Sequence, residues 1–168
     1  MTTVEDLVVA TQRVRESAQA VGAALASVAV YTEPAIARAV QAEQNLYARI
    51  ENEFGMLTST EAGTRMGSRS RAPRNLAATA HRTNTLVAVR QGNSLVYPGF
   101  QFGPDGQPLE VIGRLRETAD ANEWSEAGLV QWLVSPTTYF DGDRPVDHLT
   151  GDPDRVVDVA ADALAVSW

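Results

Sequence analysis

TSTEAGTRMGSRSRAPRNLAATAHRTNTLVAVRQGNSLVYP, residues 58–98, carries four local signals in a row. Thr58-Ser59-Thr60-Glu61 matches a capping box, in which the threonine hydroxyl and the glutamate carboxylate each meet a free backbone donor. That pattern predicts a short helix from Ser59 to Met66. Gly67 follows, where a tight turn needs a residue free to take positive φ. A second helix is expected from about Pro73 to Arg82, ended by Asn84. Leu86-Val87-Ala88-Val89-Arg90 and Leu95-Val96-Tyr97-Pro98 then flank Gln91-Gly92-Asn93-Ser94. Two short apolar runs around a Gly-Asn turn predict a β-hairpin. Helix, turn, helix and hairpin in this order predict a winged helix-turn-helix.

The charge of this stretch sets it apart. Residues 58–97 hold Arg65, Arg69, Arg71, Arg74, Arg82 and Arg90 against the single acid Glu61, a local charge of +5. Residues 1–57 sum to −3 and residues 98–168 to −9, within a chain whose net charge is −7. A basic island between acidic flanks is expected where one module meets phosphates; the alternative is a solvated surface. On the second helix, Leu76, Ala77 and Ala80 are expected to pack inward, leaving Arg74, Asn75, Thr79 and Arg82 outward for base edges and phosphates. Arg69, Ser70 and Arg71 precede it, where guanidinium and hydroxyl groups meet phosphate. Arg90 and Asn93 lie on the expected wing. Ala72 is a poor cap, so the start of this helix is the least defined point, and Ser68–Arg71 could instead form a loose loop.

Working outward, the expected fold class is mainly α, in three parts. Residues 1–55 read as a helical hairpin, with a first helix over 4–30, a break at Tyr31-Thr32-Glu33-Pro34, and a second helix through Ile36, Val40, Leu46 or Tyr47, Ile50 and Phe54 that Gly55 stops. Its alanine-rich faces suit either a homodimer contact or packing on the rest of the chain. Residues 56–102 form the winged helix-turn-helix. Residues 103–168 form a helical domain: Leu109–Ala121, then a helix opened by Trp124-Ser125-Glu126 and stopped at Pro136, a short helix from Pro145, and a last helix from Asp152-Pro153.

Several function classes are excluded or disfavoured. The chain has no cysteine, so disulfide scaffolds, thiolate metal sites and cysteine nucleophiles are ruled out. Absence of a long apolar run or a basic leader gives a cytoplasmic expectation with no membrane partner. His81 and His148 lack ligand-spaced neighbours, and Asp141, Asp143 and Asp147 lack the closing glutamate of a calcium loop. No phosphate loop, nucleophile elbow or dinucleotide fingerprint occurs. The expectation is therefore a non-enzymatic protein without a metal or cofactor.

The block from Leu86 to Phe102 resembles the wing and connector of actinobacterial proteins related to MbcA-type antitoxins. Gly128–Leu149 is similar to the toxin-binding domain of the Xre/MbcA/ParS family, through Trp132-Leu133, Pro136, Asp141-Gly142, Arg144-Pro145 and Leu149, continuing into Gly151–Val157. Thr137-Thr138-Tyr139-Phe140 and the N-terminal hairpin depart from that pattern. The resemblance implies an antitoxin that neutralises a RES-domain toxin consuming NAD and represses its own operon by binding operator DNA. It places Asp141, Gly142, Arg144 and Pro145 in the family's turn and Arg155 at the start of the last helix, as partner-binding positions. Trp168 joins them as an interface candidate, since tryptophan is favoured at binding hot spots. The other reading of these residues is structural, with Trp132, Leu149, Val156 and Leu164 as core. A different function class also stands: a dimeric transcriptional regulator whose C-terminal domain dimerises or binds a ligand.

Overall fold

The structure, a computed structural model, describes residues 34–165. The expected helix over 4–30 and Trp168 lie outside the described residues. The protein is mainly helical with one small antiparallel sheet of three strands. By compactness the chain divides into units 1–41 and 42–168. No helix among the described residues is long and apolar enough to cross a membrane.

Helix α1, Pro34–Phe54, starts in the first unit and continues into the second. Ile36 and Val40, expected on its apolar stripe, are exposed; the stripe is buried at Leu46, Tyr47 and Ile50, and Phe54 packs half-buried against the core. Gly55 ends the helix with φ +80°, as expected.

The next three residues bring a strand that the sequence did not announce. β1, Met56–Thr58, pairs antiparallel with β3, Ser94–Pro98, with Leu57 opposite Tyr97. β2, Val89–Gln91, pairs on the other side of β3, giving the order β1-β3-β2. The β2–β3 turn has Gly92 at φ +60°, which fits a glycine-first hairpin turn. Between β1 and β2 lie α2, Ser59–Arg65, and α3, Arg74–Arg82. The capping box is formed: the Glu61 N–H donates to Thr58 Oγ1 at 3.3 Å and the Thr58 N–H to Glu61 Oε2 at 2.7 Å. The Thr58 donor holds the Glu61 carboxyl below its usual range.

Alternation along the strands explains how the parts are joined. Leu86, Ala88 and Tyr97 pack with Ala62, Ala77 and Ala80, under the two short helices. Val87, Val89 and Val96 point the other way. They pack into the larger cluster with α4, Glu110–Ala121, α5, Glu126–Leu133, and α6, Pro153–Leu164. The sheet is thus a shared wall. The three parts expected from the sequence, 1–55, 56–102 and 103–168, do not correspond to the compact units: residues 42–165 lie in one, because one face of the hairpin is core for the C-terminal helices.

Local chemistry starts and stops these helices. Ser125 caps α5 by accepting from the Gly128 N–H, and Asp152 caps α6 by accepting from the Arg155 N–H. Two 3-10 turns, Thr138–Phe140 and Pro145–His148, connect α5 to α6. Phe140, Leu149, Val156 and Leu164 are buried, while Trp132 is half-buried against the main cluster.

Candidate nucleic-acid interface

Each of the nine positions singled out for DNA contact is exposed: Arg69, Ser70, Arg71, Arg74, Asn75, Thr79, Arg82, Arg90 and Asn93. α3 begins at Arg74, with Pro73 before it and no side-chain cap. At 3.6 residues per turn, Arg74, Asn75, Ala78, Thr79 and Arg82 share an arc of about 140°. The opposite side carries Ala77 and Ala80, which are buried. Leu76, expected to pack inward, is instead exposed to 37%. The helix starts at Arg74, one residue after Pro73, and Leu76 lies on the flank between the packed side and the outward arc.

The turn before α3 is built by its own hydroxyls. The Ser70 N–H donates to Ser68 Oγ and the Ala72 N–H to Ser70 Oγ, at 3.4 and 3.2 Å. The Ser68 N–H donates to the Gly63 carbonyl at 3.0 Å, and Gly67 takes φ +86°. Gly63 is where α2 and Pro73 touch: a Cβ there would lie 1.9 Å from the Pro73 carbonyl oxygen.

The arginines fall into two groups. None of Arg65, Arg69, Arg71, Arg74, Arg82 and Arg90 pairs with a carboxylate among the described residues. Arg65 lies over the Phe102 ring at 5.1 Å, and Arg82 donates to Thr79 Oγ1 at 3.4 Å. The four C-terminal arginines are all engaged. Arg114 pairs with Asp154, Arg116 with Glu126, and Arg144 with both Glu53 and Asp147. Arg155 donates to the Tyr139 carbonyl and lies over the Phe140 ring.

A partly buried polar network stands behind α3, joining residues that no sequence pattern groups together. His81, in the last turn of α3, meets both carboxylate oxygens of Glu126 at 2.8 and 3.0 Å. A carboxylate only accepts, so the ring nitrogen Nε2 carries the hydrogen. Glu126 Oε2 also accepts from the Ala88 N–H at 2.7 Å and lies 3.0 Å from Arg116 Nη1. Arg116 donates onward to the Leu86 carbonyl and to Asn84 Oδ1. Asn84 holds the chain reversal after α3 at φ +58°. Nearby, the buried Gln101 amide accepts from the Val87 N–H and donates to the Val87 and Pro98 carbonyls. The partners of Glu126 lie 10, 38 and 45 residues away in sequence, so no local motif marked it.

The positions assigned to partner contact are mostly used by the fold. Pro145 is buried at the first position of its 3-10 turn. Arg144 donates to Glu53 at 2.6 and 2.7 Å and to Asp147 at 2.6 and 2.9 Å. Asp141, with φ +57°, and Gly142, with φ +99°, are exposed. The Arg144 hydrogen bonds hold the Glu53 and Asp147 carboxyls below their usual ranges. Depressed carboxyl pKa values stabilise the fold above the ordinary carboxyl range and lose that contribution as pH falls. The stability advantage of the native chain over Arg144→Ala is therefore expected at neutral pH and is expected to close as pH drops below 4.5; urea unfolding across that range measures it.

No family model and no curated protein matches the chain. A solved structure does. The chain is similar in fold to Rv2175c. That NMR structure superposes with a TM-score of 0.58 at 22% identity, over 67% of this chain and 82% of that one. At that identity the likeness to Rv2175c speaks to the fold.

Proposed function

We propose that this protein binds double-stranded DNA, with α3 in the major groove, the Ser68–Arg71 turn on the phosphate backbone, and the β2–β3 hairpin as a wing. One observation carries the reading: among the described residues the arginines of 58–97 have no carboxylate partner, whereas Arg114, Arg116 and Arg144 are paired. Internal ion pairs are what a structural arginine makes; guanidinium groups left in water are what a phosphate surface requires. In this reading Arg74 and Asn75 face base edges, since the first turn of a recognition helix enters the groove. Arg69, Arg71, Arg82 and Arg90 neutralise phosphates.

About five such contacts give a log–log salt slope near −4 to −5. Fluorescence anisotropy with duplex DNA from the region upstream of the gene is expected to give that slope. Arg71→Ala is expected to make it shallower by about 1. Unchanged affinity in an Arg71→Ala, Arg74→Ala double variant would remove the assignment. So few contacts in an acidic chain also call for a homodimer on a two-fold site.

Within this reading the protein is a transcriptional regulator. Neutralisation of a RES-type toxin is supported by the sequence resemblance, with exposed Asp141 and Gly142 as the contact positions still open. Co-expression with an adjacent RES-domain gene product tests that part: restored growth and co-purification are expected, and the absence of both leaves a regulator that acts without a toxin.

A further inference from the structure

We infer that Leu76 reads a thymine methyl group, making it a specificity-determining residue for the DNA contact proposed above, on which this inference rests. A lone exposed leucine is ordinary on a protein surface. This one is placed differently. It lies in the first turn of α3, on the flank next to Thr79 and on the Asn75 side of the outward arc, and it is exposed to 37%. Ala77 and Ala80 fill the packed side of the helix, while Leu76 keeps apolar surface in contact with solvent.

Every other large side chain on the outward surface of α3 is cationic or hydrogen-bonding. Ala78, between Arg74 and Arg82 on the arc, is small and exposed, so the helix axis can approach the groove floor closely there. In helices the Cα–Cβ bonds tilt toward the N-terminus, which directs Leu76 toward the end that enters the groove. There, adenine offers an acceptor and donor pair that asparagine can meet in two hydrogen bonds. The paired thymine offers a methyl that only an apolar group can recognise. Asn75 and Leu76, adjacent in the first turn, supply one of each. The site they suit is an A·T pair or two adjacent A·T pairs, flanked by positions within reach of Arg74.

The test exchanges thymine for uracil, which removes the methyl and leaves the Watson–Crick edge intact. Duplexes recovered from a random-sequence pool by the full-length chain are resynthesised with deoxyuridine at single thymines, and affinities are measured for the native chain and for Leu76→Ala. Burial of one methyl predicts that the native chain prefers thymine about fourfold at one position per half-site. Leu76→Ala is expected to bind the uracil duplex about as well as the thymine duplex there. Its melting temperature, measured alongside, separates lost base recognition from lost stability, since Leu76 is partly covered. Equal affinity of the native chain for both bases at every position, or thymine preference that persists in Leu76→Ala, overturns the assignment. Failure to recover any duplex from the pool overturns the DNA reading itself.

Discussion

Glu126→Ala is expected to destabilise the fold by about 2–3 kcal/mol, somewhat less than removing one partner from a fully buried ion pair, because a quarter of the Glu126 side chain is exposed. Three groups lose their acceptor at once. Arg116, exposed to only 6%, keeps its charge with no carboxylate beside it. The Ala88 N–H loses its 2.7 Å bond, and His81 loses both of its own. Arg116 Nε already lacks a partner, so this site holds little spare hydrogen-bonding capacity. Glu126→Gln keeps an acceptor oxygen but no charge and is expected to fall between the two. Urea denaturation of the three proteins reads the order directly. Native-like stability of Glu126→Ala would mean that water replaces the carboxylate without loss. DNA affinity is expected to fall further than global stability explains, because α3 has no side-chain cap at its start and His81 anchors its end.

Gly63→Ala is expected to cost a similar amount, about 3 kcal/mol, against the usual direction for a helix interior. Alanine at an unconstrained helical site gains up to ~1 kcal/mol over glycine through propensity. Here the new Cβ would sit 1.9 Å from the Pro73 carbonyl oxygen and 2.5 Å from its carbon, and both are backbone atoms that no rotamer change can move. The clash outweighs the propensity and pushes α2 from the start of α3. Gly67→Ala is the matched control. Its Cβ meets nothing within 4 Å, and the only penalty is the φ of +86°, worth ~1–2 kcal/mol for a residue with a side chain. Thermal or urea unfolding should rank Gly63→Ala below Gly67→Ala, and both below the native chain. The reverse ranking would show that the two helices can separate at no cost.

Whatever depended on neighbours in sequence was legible in advance. The Thr58–Glu61 capping box, the stops at Gly55 and Asn84, the Gly92-Asn93 turn and the caps at Ser125 and Asp152 each rest on contacts within four residues. So did the outward set on α3, all of which is exposed. What depended on distant partners was not legible. β1 is three residues long with no usable period, and it exists because β3 lies beside it some 40 residues later. Gln101 reads as part of a turn-rich connector, yet it is buried with its amide on Val87. Leu76 stands on the flank of α3, about 60° from exposed Thr79 and about 40° from buried Ala80, where helical period alone does not decide the side. Arg144, Pro145 and Arg155 carried the family resemblance, but the structure uses them to hold the 137–155 region together.

The Gln101 amide stands where a further strand would place a peptide group, and Glu126 completes the same wall from α5. A cassette cut after Phe102 would take both short helices and the hairpin but leave behind Arg116, Glu126 and the apolar cover over Val87 and Val89. The segment with the two short helices is therefore not portable by itself. Gene fusions or recombination events that reuse it must carry the chain through α5, and swapping the C-terminal helices for another module would require a new carboxylate facing His81.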